Sequence, residues 1–185
     1  MNRYGKVIND RVNRDFLNTL IGFGTGAFLS AFLVIVLMFS SKVEAYDANG
    51  EAFCLAKNIY FEAGNQPMIG KVAVSHVVLN RVDSSLYPDT ICDVVYQAQW
   101  RVNWKGEEVP VRHKCQFSWF CDGKSDEPVD SKTWIESMLI ARRVIEGEWS
   151  DVTEGATHYH ADSVLPYWAS SLNRTVTVDN HLFYK

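Results

Sequence analysis

The feature that most constrains this 185-residue chain is an uncharged, largely apolar run at residues 18–41. A run of this length can span the hydrocarbon core of a bilayer, so it predicts one transmembrane helix at 19–41. The preceding segment carries four basic residues against two acidic ones, and such an excess of positive charge is retained in the cytoplasm. We therefore expect a basic cytoplasmic tail at 1–18 and a single-pass inner-membrane anchor, with the rest of the chain outside the cytoplasm.

Two other interpretations of the N-terminal segment stay open. A signal peptide cleaved near Ala45 gives a secreted protein instead, because small residues precede that position. Gly22 and Gly26 form a small-xxx-small pair of the kind that packs two membrane helices together, which predicts a weak dimer. In every case residues 42–50 form a short polar tether, and residues 51–185 suffice for one domain of ordinary size.

The composition indicates a globular protein and excludes one class of partner. The chain is 47% hydrophobic and 13% aromatic, which is typical of a chain that buries a core. Residues 19–185 carry 14 Lys or Arg against 20 Asp or Glu. Proteins that bind nucleic acid need a basic face, so nucleic acid is not expected as a partner.

All four cysteines lie after the apolar run, on the side where the predicted orientation gives an oxidising compartment. Two disulfides are therefore expected, and four cysteines allow three pairings. The short separation of Cys115 and Cys121 favours a local bridge, which leaves Cys54 to pair with Cys92. A nucleophilic Cys54 is the alternative, although a thiol enzyme also needs a base beside the sulfur.

Hydrophobic periodicity and capping residues predict an α+β domain that is mainly helical, with a small sheet. Helices are predicted from Glu51 to a stop at Gly64, from Pro67 to Val82, from Thr90 to Gln97 after an Asp89 N-cap, and from Asp130 or Ser131 to Gly147. Strands are predicted at 156–161 and 175–179, and a short hairpin at Cys115–Cys121 with an Asp122-Gly123 turn.

Glu62 is the first candidate for chemistry, because it follows Tyr60 and Phe61 in an otherwise apolar stretch. At 100° per residue it falls on the border of the apolar face of the first helix, where a cleft wall is expected. Apolar surroundings disfavour the charged form of a carboxyl and raise its pKa, and a carboxyl that keeps its proton can act as a general acid. A surface glutamate whose aromatic neighbours face the other way is the alternative.

Two further patterns could supply a site. His158 and His160 are two residues apart in a predicted strand, so both face one side, and His181, His113 or Asp162 could complete a zinc site. No diagnostic metal motif accompanies them, so a structural or substrate-contacting role for both histidines is favoured over a metal site. Among the six tryptophans, Trp119 and Trp168 are the candidates for a ligand groove, because each adjoins polar residues.

Five blocks of sequence, in order, resemble the SleB/CwlJ-type cell wall hydrolase family, which is found in spore-cortex lytic enzymes. The blocks are Leu55–Asn65, Val72–Val82, Pro88–Gln97, Cys115–Trp119 and Gly155–His160. The resemblance covers roughly residues 52–185 and implies a fold similar to lysozyme and the lytic transglycosylases. It also implies cleavage of the peptidoglycan glycan strand between N-acetylmuramic acid and N-acetylglucosamine, in phage lysis or in wall remodelling.

The resemblance also assigns residues to roles. Glu62 matches the catalytic glutamate of the family, and no cofactor or metal is implied. Many relatives have a second glutamate after the glycine, where this chain has Asn65. With one carboxyl, a lytic transglycosylase is the expected mechanism; a zinc-dependent amidase and a non-catalytic wall-binding protein are the alternatives. Positions that match the family's cleft are Gln116, Phe117, Ser118, Thr157, Tyr159 and His160.

Overall fold

The computed structural model describes residues 50–185. The predicted tail at 1–18, the membrane span at 19–41 with Gly22 and Gly26, most of the tether and the cleavage position near Ala45 lie outside these residues. In the part of the chain that is described, no helix is both long and apolar enough to cross a membrane.

The described residues form a mixed domain of four α-helices and two small antiparallel sheets, as expected for a mainly helical α+β fold. The helices are α1 (Glu51–Ala63), α2 (Met68–Asp83), α3 (Ile91–Val95) and α4 (Ser131–Ile145). The strands are β1 (Ala98–Val102), β2 (Glu108–Cys115), β3 (His158–Ala161), β4 (Arg174–Val178) and β5 (His181–Tyr184), and two 3-10 helices occupy Ser118–Cys121 and Tyr167–Ser171. β1 pairs with β2, and the second sheet has the order β3-β5-β4.

The main core lies where α1 packs against α2, α3 and α4. Leu55 and Ile59 of α1 are fully buried there, together with Ile140 and Val144 of α4. Burying one such side chain contributes roughly 1.5–3 kcal/mol. The Cys54–Cys92 disulfide ties α1 to α3 beside this core. The C-terminal end of α1 is therefore held on several sides, and Glu62 is in its last turn.

A second apolar cluster joins α2 to the three-stranded sheet. Ala73 and Val77 of α2 contact Ala156, Val178 and Phe183, and all but the partly accessible Val178 are fully buried. Because α2 is covered by α1 on one side and by the sheet on another, apolar residues occupy most of its circumference. This packing brings the β3 strand next to the end of α1.

Several predicted boundaries are confirmed by the caps. α1 stops before Gly64, where an added Cβ would lie 2.4 Å from the carbonyl oxygen of Tyr60, so only glycine fits. Asp130 caps α4 by accepting a hydrogen bond from the Thr133 amide. Gly147 follows α4 with φ of +76°, a conformation that glycine adopts at no steric cost.

Two local predictions are wrong. The third helix is shorter than expected, and its N-cap is Thr90 rather than Asp89, since the Thr90 side chain accepts from the Asp93 amide. The predicted Cys115–Cys121 hairpin is a 3-10 turn. Burial does alternate there, with Phe117 buried, but the β1–β2 pairing ends at the Ala98–Cys115 pair, and Ser118–Cys121 form a 3-10 helix.

The hairpin instead comes from residues 98–115, and the sequence pattern predicts no helix or strand at 98–114. Strand β5 was not predicted either, although it is the central strand of its sheet. Both predicted disulfides are present, Cys54–Cys92 and Cys115–Cys121. The second one closes a short loop immediately after β2.

Candidate active site

A cavity of about 250 Å³ opens where the C-terminal ends of α1 and α2, the segment after β2 and strand β3 meet. Both polar and aromatic side chains line it. The lining residues are Glu62, Arg81, Gln116, Phe117, Ser118, His158, Tyr159 and Trp168. Five of the residues that the sequence assigned to substrate binding are therefore gathered around Glu62.

The Glu62 carboxyl is largely removed from water, at the border of the buried face of α1 as the helical pattern predicts. This burial raises the pKa of Glu62 above its ordinary value, since the charged form loses more solvation than the neutral form. The Tyr159 hydroxyl donates a hydrogen bond to Glu62 Oε2 at 3.0 Å, and the nearby Arg81 charge also favours the carboxylate. Both contacts lower the pKa of Glu62, but together they do not cancel the increase caused by burial.

Tyr159 is the hydrogen-bond donor that orients the Glu62 carboxyl. Desolvation, followed by the proximity of the Glu62 charge, raises the pKa of Tyr159 well above its ordinary value. Tyr159 therefore stays protonated and available to donate across the range in which proteins work. Its ring stacks against Phe183 of β5 with centroids 5.6 Å apart, so the position of the hydroxyl is fixed by the sheet.

Arg81 places a fixed positive charge at the floor of the cavity. Its side chain is 3% exposed, and Nε donates to the Thr157 carbonyl at 2.7 Å. The guanidinium lies 5.2 Å from the ring centre of Phe117. With its amide oxygen turned toward Arg81, Gln116 accepts from both terminal nitrogens at 3.2 Å. Arginine keeps its charge in proteins, so a Glu62 carboxylate formed during a reaction has a permanent counter-charge nearby.

Sequence reasoning did not find Arg81 or the cavity position of His158. Arg81 was visible as the one arginine or lysine within the mainly apolar stretch Val72–Val82, which was interpreted only as a core helix. His158 was considered as a zinc ligand, with a structural or substrate-contacting role favoured, and it was not included among the cleft residues. In the structure its Nδ1 lies 3.0 Å from Thr157 Oγ1, and burial, with a smaller effect of the Arg81 charge, lowers the pKa of His158.

The two histidines of β3 do not form a zinc site with any of the candidate ligands, among the residues that the structure describes. His160 is buried away from the cavity, where Nε2 lies 2.9 Å from the Tyr184 hydroxyl and Nδ1 lies 2.8 Å from the Ala161 carbonyl. Both histidine rings contact Trp168, with centroids 5.3 Å and 5.6 Å away. Residues 50–185 contain no group of three or more histidine, cysteine or acidic side chains placed to hold a metal ion.

Three side chains that were expected in the cleft lie behind it instead. Trp119 is 7% exposed, and its Nε1 donates to Asn58 Oδ1 at 3.1 Å. Its ring stacks on Phe61 at 4.8 Å, so it supports the turn of α1 that carries Glu62. Thr157 contributes its carbonyl to Arg81, and His160 packs within the sheet. Trp119 packs in the core because its side chain is large and mostly apolar, and its N–H is hydrogen-bonded there.

No second carboxylate from the described residues lines the cavity. Asp151 accepts hydrogen bonds from Asn80 and from the Thr153 and Gly155 amides, which fixes the loop before β3. Asp126 and Asp162 are also absent from the cavity lining. Among the described residues that line this cavity, Glu62 is the only acidic one. The arrangement therefore provides a single carboxyl that can exchange a proton, beside one neutral phenol and one fixed cation.

Comparison with known proteins gives consistent matches. A model of the family described as "Cell Wall Hydrolase" matches residues 65–184, and Glu62 lies three residues before that range. Spore cortex-lytic enzymes of Bacillus subtilis and Bacillus cereus are 36% and 40% identical to the chain over 137 and 131 residues, which is 74% and 71% of its length. The alignments cover only 38% and 42% of those enzymes, so the chain matches about two fifths of each relative.

Two solved structures share the fold. The catalytic domain of the Bacillus cereus SleB protein is 26% identical, with a TM-score of 0.52 over 74% of this chain and 94% of that domain. The catalytic domain of a germination-specific lytic transglycosylase, SleB from Bacillus anthracis, is 24% identical, with a TM-score of 0.55 over 77% and 98% of the two chains. The family model covers well over half of this sequence, and the chain therefore belongs to the cell wall hydrolase family.

Proposed function

We propose that this chain degrades peptidoglycan by cleaving the glycan strand between N-acetylmuramic acid and N-acetylglucosamine, with Glu62 as its single acid and base. The observation that carries the proposal is the Glu62 carboxyl, which has a raised pKa and is the only acidic group among the described residues that line the cavity. Relatives named spore cortex-lytic enzyme and a structural neighbour named lytic transglycosylase support the same reaction class.

The first step is proton donation by Glu62. A carboxyl that keeps its proton gives it to the glycosidic oxygen while the bond from that oxygen to the anomeric carbon breaks. Positive charge then grows on the muramic acid ring, and Glu62 becomes a carboxylate. The Tyr159 hydroxyl and the Arg81 charge both favour that carboxylate, so they stabilise the state that forms as the bond breaks.

The second step returns the proton. In a lytic transglycosylase the 6-hydroxyl of the same muramic acid attacks the anomeric carbon and passes its proton to the Glu62 carboxylate, which closes a 1,6-anhydro ring. No water is consumed and no second carboxylate is required. Ordinary inverting or retaining hydrolysis uses a partner carboxyl about 5–9.5 Å away, and the described cavity lining offers none. We therefore propose the anhydro product.

The remaining lining residues are proposed to bind the substrate. Gln116 and Ser118 offer polar groups at the rim, Trp168 offers a ring face, and the buried Phe117 forms part of the wall. Aromatic faces and a few polar groups are the usual composition of a sugar-sized site. His158 is neutral over most of the physiological range, because its pKa is lowered, and can donate or accept a hydrogen bond there.

The decisive experiment replaces Glu62 by Gln, which keeps the shape of the side chain and removes its proton chemistry. Wild type should reduce the turbidity of purified peptidoglycan, and Glu62→Gln should not, while its circular dichroism spectrum stays unchanged. Glu146→Gln, at an exposed position after α4, is the matched control and should be fully active. A folded Glu62→Gln protein with wild-type activity would refute the assignment.

Product analysis separates the mechanisms. Mass spectrometry should find anhydro ends, which are one water lighter than the reducing ends left by hydrolysis. A zinc-dependent amidase would release stem peptides and lose activity in EDTA, whereas the proposed enzyme should be insensitive to chelation. Binding to sacculi without any soluble product would instead favour a non-catalytic wall-binding protein.

We also propose that the domain works from the outer face of the inner membrane, with residues 1–18 in the cytoplasm, 19–41 as the anchor and 42–50 as the tether. The charge pattern of the sequence supports this orientation. Full-length protein should stay in the membrane fraction after a high-salt wash, whereas N-terminal sequencing that begins near residue 46 would indicate secretion. Cross-linking of wild type and a Gly22→Leu, Gly26→Leu variant tests the proposed weak dimer.

A further inference from the structure

The β1–β2 hairpin exposes large apolar side chains that the rest of the domain does not cover. Trp100 is 51% exposed, Val102 64% and Trp104 89%. Trp100 and Val102 are two residues apart in β1 and therefore face the same side of the hairpin, and Pro110 lies opposite Trp100 in β2. Exposed apolar groups that are contiguous, rather than scattered, mark surfaces that bind something.

The same hairpin is basic within an acidic domain. It carries four basic residues, Arg101, Lys105, Arg112 and Lys114, against two glutamates. The rest of residues 50–185 carries nine basic residues against sixteen acidic ones. At the tip, Lys105 Nζ lies 5.2 Å from the centre of the Trp104 ring. The tip of the hairpin therefore exposes an aromatic ring and a positive charge side by side.

The hairpin continues directly into the wall of the Glu62 cavity. β2 ends at Cys115, and the next three residues all line the cavity. The Cys115–Cys121 disulfide closes this wall segment on itself. Trp100 packs edge-on against Phe120 in the same segment, with centroids 5.9 Å apart. A long polymer that leaves the cavity past this wall therefore meets the base of the hairpin first.

The backbone bends where the hairpin meets the cavity wall. The pairing changes register between Ala98–Cys115 and Trp100–Pro110, and His113 in the extra stretch of β2 has φ of +59°. Bulges of this kind bend a strand and are common beside active sites. Trp104 is six residues beyond Ala98, so the tip extends at most about 20 Å from the wall at 3.3 Å per residue.

We propose that the β1–β2 hairpin is an outer glycan-binding arm, which holds the part of a peptidoglycan strand that lies beyond the cleaved bond. Trp100 and Trp104 stack on the apolar faces of sugar rings, and Lys105 at the tip pairs with carboxylates of the stem peptides. The inference rests on the proposed function, since it takes the polymer in the cavity to be peptidoglycan. A glycan is favoured over a lipid surface because the arm is continuous with the cavity wall.

The test measures binding of the full-length chain, in neutral detergent micelles, to intact sacculi by sedimentation. All proteins carry Glu62→Gln so that the sacculi stay whole. Adding Trp100→Ala and Trp104→Ala should weaken binding about tenfold, the loss expected for two aromatic contacts of ordinary strength. Ile135→Ala, which removes a comparably exposed apolar side chain (67%) from α4, should bind like the parent. Sedimentation of the double Trp variant equal to that of the parent overturns the proposal.

Two additional measurements keep the test decisive. Trp104→Ala alone removes a side chain that is almost wholly in solvent, so it carries the test if the double variant does not fold. Lys105→Glu should weaken binding more at low salt than at high salt, since exposed charges are screened by salt, whereas Lys132→Glu on α4 should not. Equal effects of the two charge reversals overturn the proposed arm.

A lipid surface is the competing occupant and has its own readout. If micelles that contain anionic lipid protect the hairpin tryptophans from an aqueous fluorescence quencher and sacculi do not, the arm binds lipid and the proposal fails. Failure of the proposed function is seen separately, because it appears as glycan cleavage by the Glu62→Gln protein, whereas failure of the arm appears only in the binding of the Trp variants.

Discussion

Replacing Tyr159 by Phe tests how the cavity sets the proton affinity of Glu62. The change removes a hydroxyl that donates to Glu62 Oε2 at 3.0 Å and keeps the ring that stacks on Phe183. That hydrogen bond favours the carboxylate over the acid. Without it, the carboxylate is destabilised, so the pKa of Glu62 moves further upward.

The size of the effect follows from the charge of the acceptor. A hydrogen bond to a charged group contributes about 1.5–3 kcal/mol, so removing the Tyr159 hydroxyl takes up to about that much stabilisation from the carboxylate. The pKa of Glu62 should therefore rise further. If the protonated Glu62 is the general acid, activity falls as pH rises through its pKa, and this basic limb of the pH profile should move to higher pH.

The assay is kcat/KM for solubilisation of purified peptidoglycan, measured from acidic to alkaline pH for wild type and Tyr159→Phe. Tyr184→Phe is the matched control, because its hydroxyl contacts His160 rather than Glu62, and its profile should coincide with that of wild type. A basic limb that stays in place in Tyr159→Phe, or that moves to lower pH, would refute the assignment of that limb to Glu62 and the role of the phenol.

Two further predictions concern stability. Because burial raises the folded-state pKa of Glu62, the contribution of Glu62 to stability is fully present below its unfolded-state pKa and is lost as pH rises through its folded-state pKa. The Glu62→Gln variant should therefore gain stability relative to wild type as pH increases. If urea denaturation gave the same difference in the free energy of unfolding between the two proteins at pH 4 and at pH 8, this prediction would be contradicted. Removing the Cys54–Cys92 bridge should cost about 4 kcal/mol and removing Cys115–Cys121 about 2 kcal/mol, since the loops span 38 and 6 residues; chemical denaturation of the two double-alanine variants should reproduce this order.

The two disulfides also serve different parts of the molecule. Cys54–Cys92 connects two helices of the core, so its loss acts on the whole domain. Cys115–Cys121 encloses Gln116, Phe117 and Ser118, which line the cavity. Its removal should therefore reduce activity more than its small effect on stability accounts for, because the wall of the cavity and the base of the hairpin lose a shared constraint.

The family, the α+β class and the four helices were accessible from the sequence, and comparison with known proteins confirms the family. Local patterns carry this information: α1 has apolar residues at helical spacing and a glycine at its end, and α4 has an aspartate N-cap. Glu62 could be singled out for the same reason, since a lone acid among aromatic neighbours is a local feature. The disulfide pairing followed from sequence separation alone.

The composition of the cavity was decided by tertiary packing. Arg81 is 19 residues from Glu62 in sequence and Tyr159 is 97, and only the packing of α2 and β3 against the end of α1 brings all three together. Trp119 was predicted to line a groove. In the structure its ring stacks on Phe61 and its N–H donates to Asn58 in the core. A local pattern cannot distinguish these outcomes, because it does not say which faces meet.

By itself, the sequence determined the apolar N-terminal run, the existence of the helices, the Asp130 cap, the short Cys115–Cys121 bridge and the identity of the one acid with apolar neighbours. These features depend on residues that are close together in the chain, where spacing and side-chain type fix the backbone. The tertiary structure alone decided that Glu62 receives a hydrogen bond from Tyr159 and the field of Arg81, and that a basic, tryptophan-bearing hairpin adjoins its cavity. Solvation and electrostatic effects depend on distance in space, and distance in space is set by the packing of the whole domain.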